Sequence, residues 1–181
     1  ILEENGIKCV VKHSNIDEEI IKKSLTKEKV TPEIISKNLA ELKANKVSQS
    51  QKDKIVLGAD SVIDLNGQII SKPLNRNEAL EILKKLNGKT HNLISSVCIS
   101  QNGSMNWNYT EKAELTMKKM SEDDLKNYLS KIEDKVLYAY NVYQIEGEGR
   151  SLFKKIEGDK NTIMGLPIKS IKNYLNNSNF K

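Results

Sequence analysis

Two Asn-Gly dipeptides, each flanked by apolar runs, constrain the fold of this chain most strongly. Asn66-Gly67 and Asn102-Gly103 both suit two-residue turns, in which the central residues need positive φ angles. The neighbouring runs predict four strands, over residues 61–65, 68–71, 90–100 and 104–117. Each pair of strands is expected to form an antiparallel hairpin, so a purely parallel sheet is excluded.

Helical patterns alternate with the predicted strands. They predict helices over 1–5, 16–25, 32–48 and 76–86, a helix that begins after Ser121, and a last helix from Pro167 to about Tyr174. Further extended segments are predicted over 7–13, 55–60 and 138–145. We therefore expect a single α/β domain over residues 1–181, with a mixed sheet flanked by helices.

The charge of the chain favours a small anionic ligand. The formal net charge is +5, and only Arg76 and Arg150 are arginines among 29 basic residues. A modest positive field attracts a polyanion such as a nucleotide. Aromatic residues make up only 5% of the chain, too few for a base-stacking platform, so no stable nucleic-acid partner is expected.

Hydropathy and cysteine usage indicate a cytoplasmic protein. No apolar run approaches the roughly 18 residues that a membrane-spanning helix needs, so no membrane partner is expected. Cys9 and Cys98 are far apart and lack the spacing of a redox or zinc motif. Free thiols are typical of a reducing compartment, and a disulfide scaffold is not expected.

Asp60 is the first candidate for chemistry, because it ends the apolar run that begins at Ile55. Gly58 and Ala59 leave room for a ligand beside the backbone, and an Asp at the end of a strand can hold a divalent cation or take a proton from water. The alternative is a turn-forming Asp, with Ser61 as a local cap.

Two lysines and two acidic clusters are weaker candidates. Lys72, fixed by the following Pro73, can serve as a point charge for phosphate, and Lys43 lies within a predicted helix; the alternative for both is a solvated surface lysine. The acidic clusters 17–19 and 157–159 could share a metal ion, or simply start a helix and form a turn. His13 and His91 lack neighbours with zinc spacing, so we interpret both as structural.

Taken in order, these segments resemble the Maf family of nucleoside triphosphate pyrophosphatases. The central match comprises Ile55 to Asp60, Ser61, Gly67, Lys72-Pro73, Ala79, Leu83, Leu86, Gly88 and His91. The outer matches are Ile16 to Glu18, Leu39 to Ala44, Tyr143 to Gly147, Ile156 to Asp159 and Gly165 to Pro167. Each motif alone is weak, but the spaced set is specific and covers essentially the whole chain.

The resemblance implies hydrolysis of a nucleoside triphosphate to the monophosphate and pyrophosphate. It implies a fold of two α/β lobes around a central cleft, a homodimer, and Mg²⁺ or Mn²⁺ as cofactor. The residues that it assigns are Asp60 as general base, Glu18 and Asp60 at the metal, Lys43 and Lys72 at the phosphates, Ser61 and Gln144 at the substrate, and Asp159 as an additional polar contact.

The chain departs from the family pattern in two places. Family members carry a Ser-x-Ser-x-Arg-Arg phosphate loop before the first helix, so the resemblance implies a natural protein longer by about a dozen residues, a strand plus a tight loop. The usual glycine-rich stretch is replaced by 134–143, with Asn141 where a glycine is common. Two alternatives stay open: the subfamily that acts on 7-methyl-GTP, and a nucleotide-binding regulator of cell division with little turnover.

Overall fold

The computed structural model describes residues 1–178 of the protein, with the backbone alone at Tyr140. Its helices within these residues are α1 Glu18–Lys27, α2 Pro32–Ser50, α3 Arg76–Leu86, α4 Glu122–Ser130, α5 Asp134–Tyr140, α6 Lys160–Ile163 and α7 Ile168–Asn177. Its strands are β1 Val56–Leu65, β2 Gln68–Ile70, β3 Thr90–Gln101, β4 Ser104–Met117 and β5 Phe153–Glu157. The alternation of helices with strands confirms the predicted α/β class.

The five strands form one sheet in the order β2-β1-β3-β4-β5. Both edge strands pair antiparallel, with Ile63 of β1 opposite Ile70 of β2 and Leu115 of β4 opposite Ile156 of β5. Both predicted turns are confirmed, because Asn66-Gly67 and Asn102-Gly103 have positive φ at both residues, as the tight hairpin turn requires.

The chain divides into two compact units, in agreement with the two lobes that the resemblance implies. The first unit contains Ile1–Ser61, Ile94–Lys112 and the residues from Asp159 onward, and the second contains Val62–Leu93 and Ala113–Gly158. The boundaries fall inside β1, β3 and β4, so each of these strands contributes residues to both units.

Each unit has its own buried core. In the first unit, Val97 of β3 packs with Ile168 and Ile171 of α7. In the second unit α3 packs against α4, and Leu83 and Leu125 are buried there. Burial of such aliphatic side chains contributes about 1.5–3 kcal/mol each to the stability of the fold.

Start signals read from the sequence are confirmed at three helices. Thr31, Asn75 and Ser121 accept hydrogen bonds from backbone N–H groups of the first turns of α2, α3 and α4. Each cap satisfies a donor that the helix itself leaves open. None of the helices within residues 1–178 has the length and hydropathy needed to cross a membrane.

The predicted strand over 7–13 is wrong, because these residues form no regular secondary structure. Val10 and Val11 are each 82% exposed. A strand gains its stability from a paired neighbour and a buried face, and this segment has gained neither. Its run of β-branched residues was therefore an insufficient signal.

The extended segment predicted over 138–145 is also wrong, because 138–140 lie in α5 and 141–145 form no strand. Residues 134–140 form α5, which starts where the N–H groups of Val136 and Leu137 donate to the carbonyl of Glu133. Leu137 is fully buried, so packing of this side chain overrides the local preference for extended structure. Two short elements, β5 and α6, were not predicted.

Candidate active site

β1 and α2 approach each other so closely at Gly58 that they leave no room for a side chain at this position. A Cβ atom at this position would lie 2.4 Å from the carbonyl oxygen of Ala40 and 2.7 Å from the backbone nitrogen of Ala44. The space that a Gly58 side chain would take is thus filled by α2, although Gly58 and Ala59 also line a cavity, as the sequence predicted. The small residues at this contact therefore set the distance between the helix and the strand.

Asp60 projects toward α2 because side chains alternate along a strand and Asp60 lies two residues after Gly58. The Oγ of Ser36 donates to the carbonyl oxygen of Asp60 at 3.1 Å. Ser36, Ala40 and Lys43 follow one another at helical spacing, so one face of α2 runs along this part of β1. The close approach therefore delivers Lys43 to the carboxylate.

Lys43 links the middle of β1 to the first turn of α1. Its Nζ lies 2.9 Å from Oδ1 of Asp60, 2.9 Å from Oε1 of Glu18 and 3.1 Å from the carbonyl oxygen of Ala59. An ammonium group has three N–H donors, so these contacts occupy all of them. Glu18 reaches the cluster from the first turn of α1, which Asp17 caps by accepting a hydrogen bond from Ile20. The structure thus brings together three of the residues assigned by resemblance.

Burial dominates the protonation equilibrium of Asp60. The side chain is 3% exposed, and burial raises the pKa of its carboxyl group, while the neighbouring Lys43 ammonium opposes this rise. Burial also works against a charged Lys43, but its contacts with Asp60 and Glu18 outweigh that effect and raise its pKa. A carboxylate whose pKa is moved toward neutrality is a better proton acceptor than an ordinary surface Asp.

The second oxygen of Asp60 is available for chemistry. Oδ2 is buried and has no hydrogen-bond partner within residues 1–178. A buried carboxylate oxygen without a partner is costly unless a ligand, a water molecule or a cation occupies the position. Lys43 holds Oδ1, so Oδ2 is the oxygen that can accept a proton or bind a metal.

The carboxylates of Glu18 and Asp60 fit a cation that takes most of its ligands from elsewhere. Both carboxylates contact the same ammonium group, which places them on one small volume. In the described part of the chain, no three His, Cys, Asp or Glu side chains converge as a metal cage. Mg²⁺ is often bound by one or two carboxylates plus substrate phosphates and water, and this donor set is of that kind.

A cavity of about 810 Å³ in the first unit reaches this cluster. Its wall combines the start of β1, from Val56 to Ala59, with the segment 7–12 and with Lys43. The charged residues that line it are all lysines: Lys8, Lys12, Lys43 and Lys54. A cavity lined by one sign of charge concentrates ions of the opposite sign, so this one favours an anion.

Ser61 and Asp159 lie elsewhere in the first unit. Strand alternation turns Ser61 away from α2, and its Oγ lies 2.9 Å from Oγ of Ser95 on β3. Asp159 caps α6, where its Oδ1 accepts from the N–H of Asn161 at 2.9 Å, and its Oδ2 lies 3.0 Å from Nζ of Lys169. The ion pair with Lys169 lowers the pKa of Asp159. Its observed contacts are thus those of a structural cap.

Lys72 and Gln144 belong to the second unit. Lys72 is exposed next to the buried Pro73, and no ion pair to Lys72 occurs among residues 1–178. Gln144 is half-buried, and its backbone lies so close to Gly149 that a Cβ there would meet the Gln144 carbonyl oxygen at 2.5 Å. Within the described residues, the charge of Lys72 is therefore not neutralised by an acidic side chain.

His91 is buried in the second unit and serves its packing, as the sequence analysis predicted. Its Nε2 lies 2.8 Å from the hydroxyl of Tyr143, and both rings contact Phe153. Burial lowers the pKa of His91 to about 4, so the imidazole is neutral at physiological pH. Tyr143 directly precedes Gln144, so this aromatic cluster anchors the chain at that residue.

Compared with known proteins, the chain matches the family described as Maf-like protein over residues 1–178. The chain belongs to the Maf family. It is 73% identical over 175 residues to a protein of Pelagibacter ubique named nucleoside triphosphate pyrophosphatase, covering 97% of this chain and 90% of that protein.

More distant Maf relatives carry two names. The chain is 38% identical to a nucleoside triphosphate pyrophosphatase of Paramagnetospirillum magneticum, over 97% of this chain and 90% of the relative. It is 41% identical to a 7-methyl-GTP pyrophosphatase of Bartonella quintana, over 93% of this chain and 84% of the relative. Both activity names occur among proteins that match nearly all of this Maf chain.

Sequence reasoning on this Maf chain missed the residues that hold the cluster in place. Ser36 fixes the backbone of Asp60, and Ser95 contacts Ser61. Nothing in the local sequence distinguishes a serine with a buried structural hydroxyl from a serine that is exposed to solvent. Ala40 and Ala44 at helical spacing were a usable signal, because small residues on one helix face indicate a close backbone approach.

Proposed function

We propose that this Maf protein hydrolyses a nucleoside triphosphate to the nucleoside monophosphate and pyrophosphate. The Maf relative with 73% identity carries the name of this activity. The observation that carries the proposal is the buried Asp60, whose Oδ1 is held by Lys43 and whose Oδ2 has no protein partner within residues 1–178. That arrangement can activate water beside a phosphate.

Asp60 is the proposed general base. Water attacks the α-phosphorus, the water proton passes to Oδ2 of Asp60, and the bond from the α-phosphorus to the bridging oxygen breaks with release of pyrophosphate. Lys43 fixes the carboxylate through Oδ1 and keeps its pKa from rising further. A positioned general base contributes about 10²–10⁴-fold to a rate, so loss of Asp60 should be severe.

Lysines are the proposed contacts to the phosphates. Lys43 lines the cavity of the first unit and acts on a phosphate through its charge, since its N–H donors are engaged, whereas Lys72 is an exposed cation fixed by Pro73 that can donate directly. Arg76 is unsuited to this role, because its guanidinium donates to the carbonyl oxygens of Leu129 and Ile132 at 2.8 Å and 2.7 Å. Point charges on lysine neutralise phosphate oxygens as negative charge builds up in the transition state.

Glu18 and Asp60 are the proposed protein groups that would hold Mg²⁺ or Mn²⁺; because Oδ2 of Asp60 takes the proton, Glu18 would be the direct ligand and Asp60 the second carboxylate beside the ion. Their shared contact with Lys43 supports this, since both carboxylates face one volume. A divalent cation bound there supplies Lewis-acid stabilisation of phosphoryl oxygens. The positive charge of Lys43 reduces the repulsion between the carboxylates of Glu18 and Asp60. Both carboxylates can therefore stay ionised and close together when the substrate binds.

Ser61 and Gln144 are the proposed contacts that tune selectivity. Ser61 is exposed and follows the general base directly, and Gln144 is half-buried with its backbone held against Gly149. Asp159 would support the substrate site only indirectly, because its carboxylate caps α6 and forms an ion pair with Lys169.

The exposed free thiol of Cys9 supports a reducing, cytoplasmic location for the protein.

The broader nucleoside triphosphate activity is favoured over the 7-methyl-GTP activity. The relative with 73% identity carries the broader name, whereas the 7-methyl-GTP pyrophosphatases of two Bartonella species are 41% and 38% identical. The complete Glu18–Lys43–Asp60 cluster also favours a catalyst over a regulator without turnover.

Hydrolysis in ¹⁸O-labelled water tests the proposal. A panel of natural and 7-methylated nucleoside triphosphates is incubated with the protein and with Mg²⁺ or Mn²⁺, and the products are analysed by mass. We expect pyrophosphate and a monophosphate that carries the ¹⁸O atom, as attack on the α-phosphorus requires. Release of inorganic phosphate, or the label in pyrophosphate, would contradict the proposal.

A further inference from the structure

Three groups form a chain of hydrogen bonds beside the general base. The hydroxyl of Ser61 lies 2.9 Å from the hydroxyl of Ser95, and the hydroxyl of Ser95 lies 2.7 Å from the carbonyl oxygen of Thr162. Ser95 is fully buried, whereas Ser61 is exposed. The chain therefore runs from a buried carbonyl group to a hydroxyl at the surface.

The number of protons in this chain fixes the direction of its hydrogen bonds. A serine hydroxyl has one proton, and a carbonyl oxygen can only accept. Ser95 must therefore donate its proton to Thr162, and it has none left for Ser61. The remaining contact is then a hydrogen bond that Ser61 donates to Ser95. Ser61 is left with lone pairs alone for any ligand.

Neighbouring residues hold this arrangement in place. Asp159 caps the first turn of α6 by accepting from the N–H groups of Asn161 and Thr162, which fixes the Thr162 peptide. Gly165 has φ +98, and a Cβ there would lie 3.2 Å from the Ser61 hydroxyl. Only glycine adopts this conformation readily, so the backbone passes close to Ser61 without covering it.

We propose that Ser95 is a positioning residue that makes Ser61 an acceptor-only hydroxyl, which selects nucleotides that present an N–H or O–H donor there. The proposal rests on the proposed function. Ser61 faces away from Lys43 and α2, so the substrate contact that the proposed function assigns to Ser61 is with a part of the nucleotide other than a phosphate bound at Lys43. An acceptor-only oxygen repels phosphate and carbonyl oxygens, so the group that it meets belongs to the base or the sugar.

Paired nucleotides that differ in one donor test this proposal. The pairs are GTP with ITP, each ribonucleotide with its 2′-deoxy form, and UTP with N3-methyl-UTP. For each pair we compare kcat/KM, and also Kd for the α,β-methylene analogues, which report binding without turnover. We expect the wild-type protein to favour the donor-bearing member of at least one pair by about three- to tenfold, the range of one hydrogen bond.

Ser95→Ala should reduce that preference below about twofold, because Ser61 then regains a proton that it can turn toward the ligand. Ser95→Thr keeps a hydroxyl and should restore the preference. Ser95→Cys, a weak hydrogen-bonding group, is the substitute if the alanine variant does not fold. In a Ser61→Ala background, Ser95→Ala should change the preference no further, as a double-mutant cycle requires for two residues that act through one contact.

Ser96→Ala is the matched control. Ser96 is a fully buried serine of the same strand, and its hydroxyl pairs with that of Thr110 at 2.9 Å. It should leave the preference unchanged. The inference is overturned if the wild-type protein shows no preference in any pair, if Ser95→Ala keeps it, or if Ser96→Ala abolishes it equally. Absence of pyrophosphate release by the wild-type protein would defeat the proposed function alone, since the Kd values still decide this inference.

Discussion

The Nζ atom of Lys43 lies 2.9 Å from Oδ1 of Asp60, although 17 residues separate them in the sequence. The contact depends on the close packing of α2 on β1 at Gly58, where no Cβ atom fits. The candidate base is therefore positioned by backbone packing as well as by its ion pair. Several substitutions separate these contributions.

Gly58→Ala tests the packing. The added methyl group would meet backbone atoms of α2, which cannot move independently of the helix. We expect a loss of about 1–3 kcal/mol in the free energy of unfolding, typical of overpacking, together with reduced kcat as Lys43 shifts from Asp60. Gly147→Ala is the control, because the nearest atom there is 3.9 Å away. Equal stability of the two variants in chemical denaturation would contradict the packing argument.

Lys43→Ala tests the electrostatic role of the ion pair. Lys43 lowers the pKa of Asp60 against the effect of burial, so its removal should raise that pKa. The general base must be ionised, so the acidic limb of the kcat profile should move to higher pH. Lys46→Ala, an exposed residue of the same helix, is the control and should leave the profile in place. A shift toward lower pH would show that Asp60 is not the titrating base.

Lys72→Ala tests the phosphate contact in the second unit. If this exposed lysine binds a phosphate, its loss should reduce kcat/KM for triphosphates by about tenfold or more, since a hydrogen bond to a charged group contributes about 1.5–3 kcal/mol. We expect a larger effect than for Lys43→Ala, because Lys43 is already engaged by Glu18 and Asp60. Lys154→Ala on β5 is the exposed control. A change below about twofold in Lys72→Ala, equal to the control, would make Lys72 an ordinary surface lysine.

The buried imidazole of His91 is expected to make the stability of the protein depend on pH. The pKa of His91 is about 4 in the folded protein against 6.5 for an ordinary histidine, so the unfolded chain binds the proton first as pH falls. This contribution to stability is present above pH 6.5 and is lost as pH falls from 6.5 toward 4, by about 3 kcal/mol in all. Denaturation at a series of pH values measures it.

His91→Gln should flatten the dependence of stability on pH in that window, because glutamine does not titrate but can still contact the Tyr143 hydroxyl. His13→Gln replaces an exposed histidine and is the control. An unchanged slope in His91→Gln would show that burial of this imidazole does not govern the acid sensitivity of the protein.

Local chemistry in the sequence predicted the elements that have explicit start or turn signals. Thr31-Pro32 marks the start of α2, and the two Asn-Gly pairs mark the hairpin turns. The segments 7–13 and 138–145 were predicted from β-branched and aromatic residues alone. Their structure depends on neighbours that a local pattern does not describe, as the burial of Leu137 in α5 illustrates.

The candidate site, like the fold, could be predicted from the sequence only in part. The position of Asp60 at the end of an apolar run was readable, but its contacts with Glu18 and Lys43 required the fold or the family resemblance. Gly58 and Ala59 were interpreted as room for a ligand, but the sequence did not reveal that α2 packs against Gly58 as well. Ser95 gave no signal at all, since the role that we propose for it follows from proton directions within a hydrogen-bond chain.

Asp60→Asn is the most direct test of the central claim that Asp60 activates water for attack on the α-phosphorus. We expect kcat for pyrophosphate release to fall by about 10²–10⁴-fold, while Kd for an α,β-methylene triphosphate changes only a few-fold, because the amide preserves shape but cannot accept the proton. Asp64→Asn, on the same strand at the hairpin turn, is the control and should keep normal turnover. If Asp60→Asn retained more than about a tenth of the wild-type kcat, well outside the range for a general base, Asp60 would be a structural residue and the proposed mechanism would be wrong.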